Sequence, residues 1–160
     1  MIKGNSIICR KIEFDLKQET INLLFLISVL WIIGMTIFPI EIGIHYNYGP
    51  TINLVPLSSI KGLMSHFYYM VPLRNFAGNI ILFVPLGIML TLKFNKLNSV
   101  LRVGVTGFLC STCIEFVQFF LPMRATDVDD IILNTLGTMI GFLVIKTSVR
   151  IVHMFAKSES

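Results

Sequence analysis

The sequence predicts an all-α membrane protein: a bundle of four transmembrane helices, with a longer outer segment between the first and second helices. Hydrophobic residues make up 54% of the 160 residues and charged residues only 14%, whereas soluble domains carry about 25% charged residues. The mean hydropathy is +0.79. Four apolar segments approach or reach the length of about 20 residues that crosses a bilayer. We therefore expect residues 1–160 to form a single membrane domain.

The transmembrane helices are predicted at about residues 20–40, 74–92, 101–121 and 127–149. The first segment is uncharged between Glu19 and Glu41, and the second is uncharged between Arg74 and Lys93. The interior of the third contains one charged residue, Glu115. Because the polar leader of the first segment is long and no small-x-small site follows it, we expect this segment to remain as an anchor.

The fourth segment is uncharged from Ile131 to Ile145, after a start that is rich in aspartate. In the second segment, Pro85 removes one backbone donor and leaves the carbonyl of Ile81 without its helical partner. A fixed bend in this helix is therefore expected, and neighbouring groups can satisfy the carbonyl inside a membrane.

The distribution of Lys and Arg predicts the orientation. Most of the 13 lie in the N-terminal arm, between the second and third helices, or after the fourth: Lys3, Arg10, Lys11, Lys17, Lys93, Lys96, Arg102, Lys146, Arg150 and Lys157. The other side has Lys61, Arg74 and Arg124. By the positive-inside tendency, both termini are cytoplasmic, while residues 41–73 and the turn near Pro122 face outward.

The same distribution argues against a nucleic-acid partner. The net charge is +4, but the basic residues are scattered at membrane boundaries and form no stripe. The three cysteines form no even disulfide framework, and Cys110 and Cys113 lie in an apolar segment, where they are interpreted as packing residues rather than a redox pair. His45 and His66 lack the spacing of metal ligands, so no metal and no cofactor is predicted.

Polar residues recur at helical spacing where lipid should exclude them. The predicted functional pocket consists of Asn79, Glu115, Gln118, Arg124, Asp127, Asp130 and Asn134. On the fourth helix, Asp127, Asp130 and Asn134 share one face with Gly137 and Gly141. Ionisable groups in a membrane are costly and usually line a site.

Three of these residues are predicted to lie at one depth. Asn79, Glu115 and Asn134 each fall roughly 7–10 Å below the outer boundary of their helices, by the helical rise. On the third helix, Ser111 and Gln118 share the face of Glu115. We therefore expect the three faces to form a small polar pocket that opens outward.

Structural roles compete with this interpretation. Thr126 and Asp129 have the spacing of a capping box, so Thr126 is predicted as the N-cap and Asp129 as a capping residue that points off the shared face. Arg124 could neutralise Asp127 or Glu115. Two glycines, Gly137 and Gly141, predict close helix packing.

Three stretches resemble the VanZ-like family: Asn53–Pro56 (N-L-V-P), Asn79–Gly87 (N-I-I-L-F-V-P-L-G) and Glu115–Gly141, with its E-x-x-Q, R-A-T-D-x-x-D and N-x-x-G-x-x-x-G patterns. The resemblance implies a small multi-pass protein of the Gram-positive cell envelope. It also implies a link to low-level resistance to teicoplanin, a glycopeptide with a lipid tail. It implies no catalytic residues.

The leading hypothesis is a non-enzymatic membrane factor. Its partners would be membrane lipids and, at the outer polar site, a lipid-linked peptidoglycan precursor or a lipoglycopeptide antibiotic. The alternative is an enzyme that acts on a lipid-linked cell-wall substrate, in which Glu115, Asp127 and Asp130 hold a divalent metal or act as acid and base. No His or activated Ser or Cys accompanies them. A small transporter is a third hypothesis. It is disfavoured because the polar residues stop halfway through the membrane.

Overall fold

The structure, a computed structural model, describes residues 18–37, 52–56, 70–121 and 126–158. Its helices are α1 (Gln18–Ile37), α2 (Met70–Lys93), α3 (Val100–Phe119) and α4 (Val128–Ser158), and its strands are β1 (Ile52–Asn53) and β2 (Thr126–Asp127). Each helix is long and apolar enough to cross a membrane. The predicted all-α bundle of four transmembrane helices is thus confirmed for this part of the chain. Most of the predicted outer segment lies outside the described residues.

The outer surface of the bundle is apolar. Large side chains such as Trp31, Leu101 and Phe116 are more than half exposed. A patch of this kind would be a liability in water but is suited to lipid. Neither Cys110 nor Cys113 forms a disulfide. Cys110 is half-buried, but Cys113 is exposed on the outer surface, so it is not the packing residue that the sequence predicted.

The inner surface combines a small apolar core with very close helix contacts. Phe83 and Leu86 of α2 pack with Ile32 of α1 in the core. Pro85 lies within α2 and does not end it. On α3, Gly107 lies against the side chain of Thr138 on α4, so α4 contacts both α2 and α3.

Three glycines allow the backbones of α2 and α4 to touch. At each of them, an added Cβ would collide with a backbone carbonyl of the facing helix, and the three contacts join Gly137 to Ile80, Gly141 to Val84 and Gly87 to Thr138. The close packing predicted from the spacing of Gly137 and Gly141 is confirmed. Close contact of this kind stabilises helix pairs in lipid, where the hydrophobic effect does not drive association.

The two ends of the bundle differ in chemistry. We call the first the polar end: it contains the last turns of α1 and α3, the first half of α2, both strands and the start of α4. We call the other the basic end: Lys93, Lys96, Arg102, Lys146, Arg150 and Lys157 lie there. At the basic end, the Lys93 Nζ donates to Asn22 Oδ1 at 2.7 Å and lies 4.7 Å from the ring centroid of Phe25.

α4 is the longest helix, with 31 residues against 20 in α1 and in α3. It continues to Ser158, beyond the residues that were predicted to span the membrane. Its final turns therefore extend past the basic end of the bundle.

We predict that Gly137→Ala destabilises the bundle by about 1–3 kcal/mol, the usual cost of overpacking. The added methyl group would meet the carbonyl of Ile80, which belongs to helix backbone and has little freedom to move. The measurement is unfolding of the purified protein in mixed detergent micelles, followed by circular dichroism.

Gly78→Ala and Gly34→Ala are the matched controls, because no atom lies within 4 Å of a Cβ built at either position. Both should be neutral or stabilising, since alanine is favoured over glycine by about 1 kcal/mol in a helix interior. Equal destabilisation in all three variants would contradict the proposed backbone contact.

Candidate functional site

Asp127 is the centre of the polar end. Its Oδ1 accepts hydrogen bonds from Asn53 Nδ2 at 3.0 Å and from the backbone N–H of Asp129 at 2.9 Å. The backbone N–H of Asp127 donates to Glu115 Oε2 at 3.1 Å. One residue thus connects β1, α3 and the start of α4.

A short parallel strand pair holds Asn53 in place. Ile52 is paired with Thr126 and Asn53 with Asp127. Asn53 uses both halves of its amide, because its Oδ1 also accepts from the backbone N–H of Val55 at 3.2 Å, as in an Asx turn. Asn53 is a site residue that the functional prediction did not include.

The predicted N-cap was wrong by one residue. α4 begins at Val128, and the side chain that caps its first turn is Asp127 rather than Thr126, which lies in β2. Strand pairing explains the shift, since it fixes the backbone of Thr126 in the ladder and leaves Asp127 at the junction. A carboxylate here is also favoured by the helix dipole.

Asp129 is deeply buried. The sequence assigned it to capping, off the shared face, and the structure adds that it is 1% exposed, among the most buried of the described residues. A carboxylate in this position lies close to the free N–H groups of the first turn of α4, which favour negative charge. Asp129 therefore belongs to the buried polar set.

A second asparagine–aspartate pair joins α2 to α4. Asn79 Nδ2 donates to Asp130 Oδ1. Asp127 and Asp130 thus each accept from an asparagine amide of another part of the chain, Asn53 and Asn79 respectively. Hydrogen bonds to a charged acceptor contribute about 1.5–3 kcal/mol.

The face that was predicted on α3 is buried. Ser111, Glu115 and Gln118 are 0%, 4% and 7% exposed. The Ser111 Oγ accepts from Asn134 Nδ2 at 2.8 Å. Gln118 Nε2 donates to the carbonyl of Thr36 at 2.9 Å, which brings the end of α1 into the network.

The structure gives each of three predicted pocket residues a hydrogen-bond partner. It links Asn79, Glu115 and Asn134 to Asp130, Asp127 and Ser111 respectively. Arg124 lies outside the described residues. Thr36 and Asn53 are additions that the sequence did not predict.

Two buried oxygens have no hydrogen-bond partner among the described residues: Gln118 Oε1 and Asn134 Oδ1. The orientation of the Gln118 amide is fixed, because the Thr36 carbonyl can only accept and so must face the NH₂ group. A buried acceptor without a donor costs about 1–3 kcal/mol. Both oxygens are therefore buried acceptors that the described residues leave unused.

The two oxygens flank Glu115 along the bundle. On α3, Ser111, which holds Asn134, lies about 6 Å from Glu115 along the helix axis, and Gln118 lies about 4.5 Å beyond it. Within the described ranges, no three His, Cys, Asp or Glu side chains are grouped so that they could hold a metal ion. The arrangement is suited to accepting hydrogen bonds from a donor-rich group.

We predict a coupling energy of about 0.5–1.5 kcal/mol between Asn53 and Asp127 in a double-mutant cycle, the usual value for one hydrogen bond. The cycle uses Asn53→Ala, Asp127→Ala and the double variant, and measures the free energy of unfolding in detergent. The single Asp127→Ala change should be the larger, since it also removes the helix cap.

Asn53→Ala combined with Ser111→Ala is the control cycle, because Ser111 bonds to Asn134 and not to Asn53. These two changes should be additive. Additivity in the Asn53–Asp127 cycle as well would show that their hydrogen bond does not contribute to stability.

The sequence matches the model of the VanZ/LLP1 family over residues 23–152. Protein VanZ of Enterococcus faecium is similar to this chain, with 26% identity over 121 residues, which cover 74% of this chain and 66% of the relative. The chain thus spans slightly less than two thirds of that relative's length. No solved structure matches the chain. Because the family model covers most of the chain, including all the site residues described above, this protein belongs to the VanZ/LLP1 family.

Proposed function

We propose that this membrane protein contributes to resistance to glycopeptide antibiotics of the teicoplanin type, through a non-enzymatic effect at the outer face of the membrane. The polar end would bind a lipid-linked peptidoglycan precursor, or the lipid-tailed drug, and alter how the two meet. Membership of the VanZ/LLP1 family supports the link to resistance.

The charge distribution supports an outward orientation for the polar end. Among the residues whose side chains the structure describes, every Lys and Arg lies at the basic end. By the positive-inside tendency that end is cytoplasmic, so the polar end faces outward. Lipid-linked precursors and a membrane-bound glycopeptide would both be met on that side.

The observation that carries the proposal is a pair of oxygens near Glu115 that have no hydrogen-bond partner among the described residues. Gln118 Oε1 and Asn134 Oδ1 can each accept one or two hydrogen bonds. Peptide N–H groups and sugar hydroxyls supply such donors, and both are abundant in peptidoglycan precursors and in glycopeptides. The ligand class that fits is therefore a peptide or sugar group presented at the membrane surface.

The hydrogen bonds of the carboxylates support binding rather than turnover. Asp127 caps α4 and receives Asn53, while Asp130 receives Asn79. A general acid or base must be able to exchange its proton with substrate, and these contacts commit both groups to holding the fold. The alternative, an enzyme acting on a lipid-linked substrate, would rest mainly on Glu115.

We predict that expression of this protein in a sensitive Gram-positive host raises resistance to teicoplanin more than to vancomycin, and that Glu115→Gln abolishes the effect. Glutamine retains an oxygen that can accept from the backbone N–H of Asp127, so the fold should survive while the carboxyl group is lost. The measurement is the minimal inhibitory concentration of each drug, with membrane levels checked by an epitope tag.

Glu19→Gln is the matched control, since it makes the same chemical change at an exposed site in the first turn of α1, at the basic end. It should protect as well as the parent. Full protection by the Glu115→Gln variant would remove the polar end from the proposal, and turnover of a lipid-linked precursor by the purified parent would favour the enzymatic alternative.

A further inference from the structure

We propose that residues 146–157, the final turns of α4, form an interfacial helix that binds the headgroups of anionic phospholipids at the basic end of the bundle. We call this segment the C-terminal overhang. The proposal concerns the opposite end of the molecule from the polar network and does not depend on the proposed function.

The length of α4 places the C-terminal overhang at the membrane surface. Its 31 residues span roughly 46 Å at 1.5 Å per residue. The hydrocarbon core of a bilayer is about 30 Å thick. Because α4 begins at the polar end, its excess length emerges among or beyond the headgroups at the basic end.

One face of the C-terminal overhang is basic. Lys146, Arg150, His153 and Lys157 recur at intervals of four, three and four residues, so they lie on one stripe of the helix. Lys146 starts the stripe at the edge of the bundle, where its Nζ donates to Asn98 Oδ1 and lies 5.6 Å from the ring centroid of Phe142. Beyond it, Arg150, His153 and Lys157 are exposed.

The opposite face is apolar and equally exposed. Ile151, Val152 and Phe155 are 42%, 61% and 68% exposed. Together the two faces make the emerging end of α4 amphipathic, with an apolar side suited to the acyl boundary and a basic side suited to the headgroups.

Charge complementarity selects the anionic lipid as the occupant. From Ile131 to Ser158 the sequence contains no Asp or Glu, so the stripe on α4 is not neutralised by acidic side chains of its own helix. Clusters of basic residues next to a transmembrane helix attract acidic lipids by about 1 kcal/mol per Lys or Arg. Because the C-terminal overhang continues a membrane-spanning helix, its basic face always lies close to lipid.

The test uses the full-length protein in lipid nanodiscs, with a fluorescent reporter in the C-terminal overhang. The chain has a single tryptophan, Trp31. Trp31→Phe together with Phe155→Trp moves the indole to the exposed apolar face. Emission maximum and quenching by acrylamide are compared in discs of phosphatidylcholine and in discs that also contain phosphatidylglycerol.

We expect the reporter to emit at shorter wavelength, and to be quenched less, when phosphatidylglycerol is present. Arg150→Gln with Lys157→Gln should reverse this difference, since each lost charge should lower the ratio of membrane-seated to water-exposed helix roughly fivefold. High salt should have the same effect, because it screens exposed charges.

Lys96→Gln with Arg102→Gln is the matched control, because it removes the same charge at the same end but off α4. This variant should keep the response to phosphatidylglycerol. Circular dichroism in detergent checks that all variants remain helical.

Three results would overturn the proposal. An identical reporter signal in both kinds of disc would show that anionic lipid is not recognised. Equal loss in both double variants would show a response to overall charge and not to the stripe on α4. A reporter that is already shielded in detergent, with cross-linking between copies, would assign the apolar face to a second copy of the chain.

Discussion

The close contact between α2 and α4 is the constraint on which the rest of the bundle depends. In lipid, apolar side chains gain little by leaving their surroundings, so helices associate through close packing and interhelical hydrogen bonds. Gly137 and Gly141 let carbonyls of α2 approach the backbone of α4. The same contact brings Asn79 to Asp130, and through Thr138 and Gly107 it sets the position of α3.

The polar end shows how a membrane protein can hold carboxylates without leaving them unsatisfied. Asp127 receives two donors from different parts of the chain and Asp130 receives one from Asn79. Each of these bonds also fixes a structural element, either the start of α4 or its contact with α2. The unpartnered oxygens of Gln118 and Asn134 are the exception among the described residues, and they lie on either side of Glu115.

The sequence predicted the parts of this arrangement that depend on local periodicity. The four helices follow from apolar segments, and the buried face of α3 follows from the spacing of Ser111, Glu115 and Gln118. The spacing of Gly137 and Gly141 likewise predicted their contact with α2.

Contacts that depend on long-range pairing were missed. Asn53 reaches Asp127 through a parallel pair of two-residue strands, and strands this short leave no recognisable pattern in the sequence. Thr36 contributes a backbone carbonyl, which no side-chain pattern can reveal. The N-cap of α4 was misplaced because Thr126 and Asp127 are both good capping residues, and strand pairing decides between them.

The two ends of the bundle use charge in opposite ways. The acidic side chains of the polar end turn inward to hydrogen-bond donors, while the basic side chains beyond Lys146 point outward. Asp130 and Arg150 are separated by roughly 30 Å of helix, so neither end acts directly on the other. Coupling between them would have to pass through the contact of α2 with α4, where backbone lies against backbone and leaves little room for movement short of separating the helices.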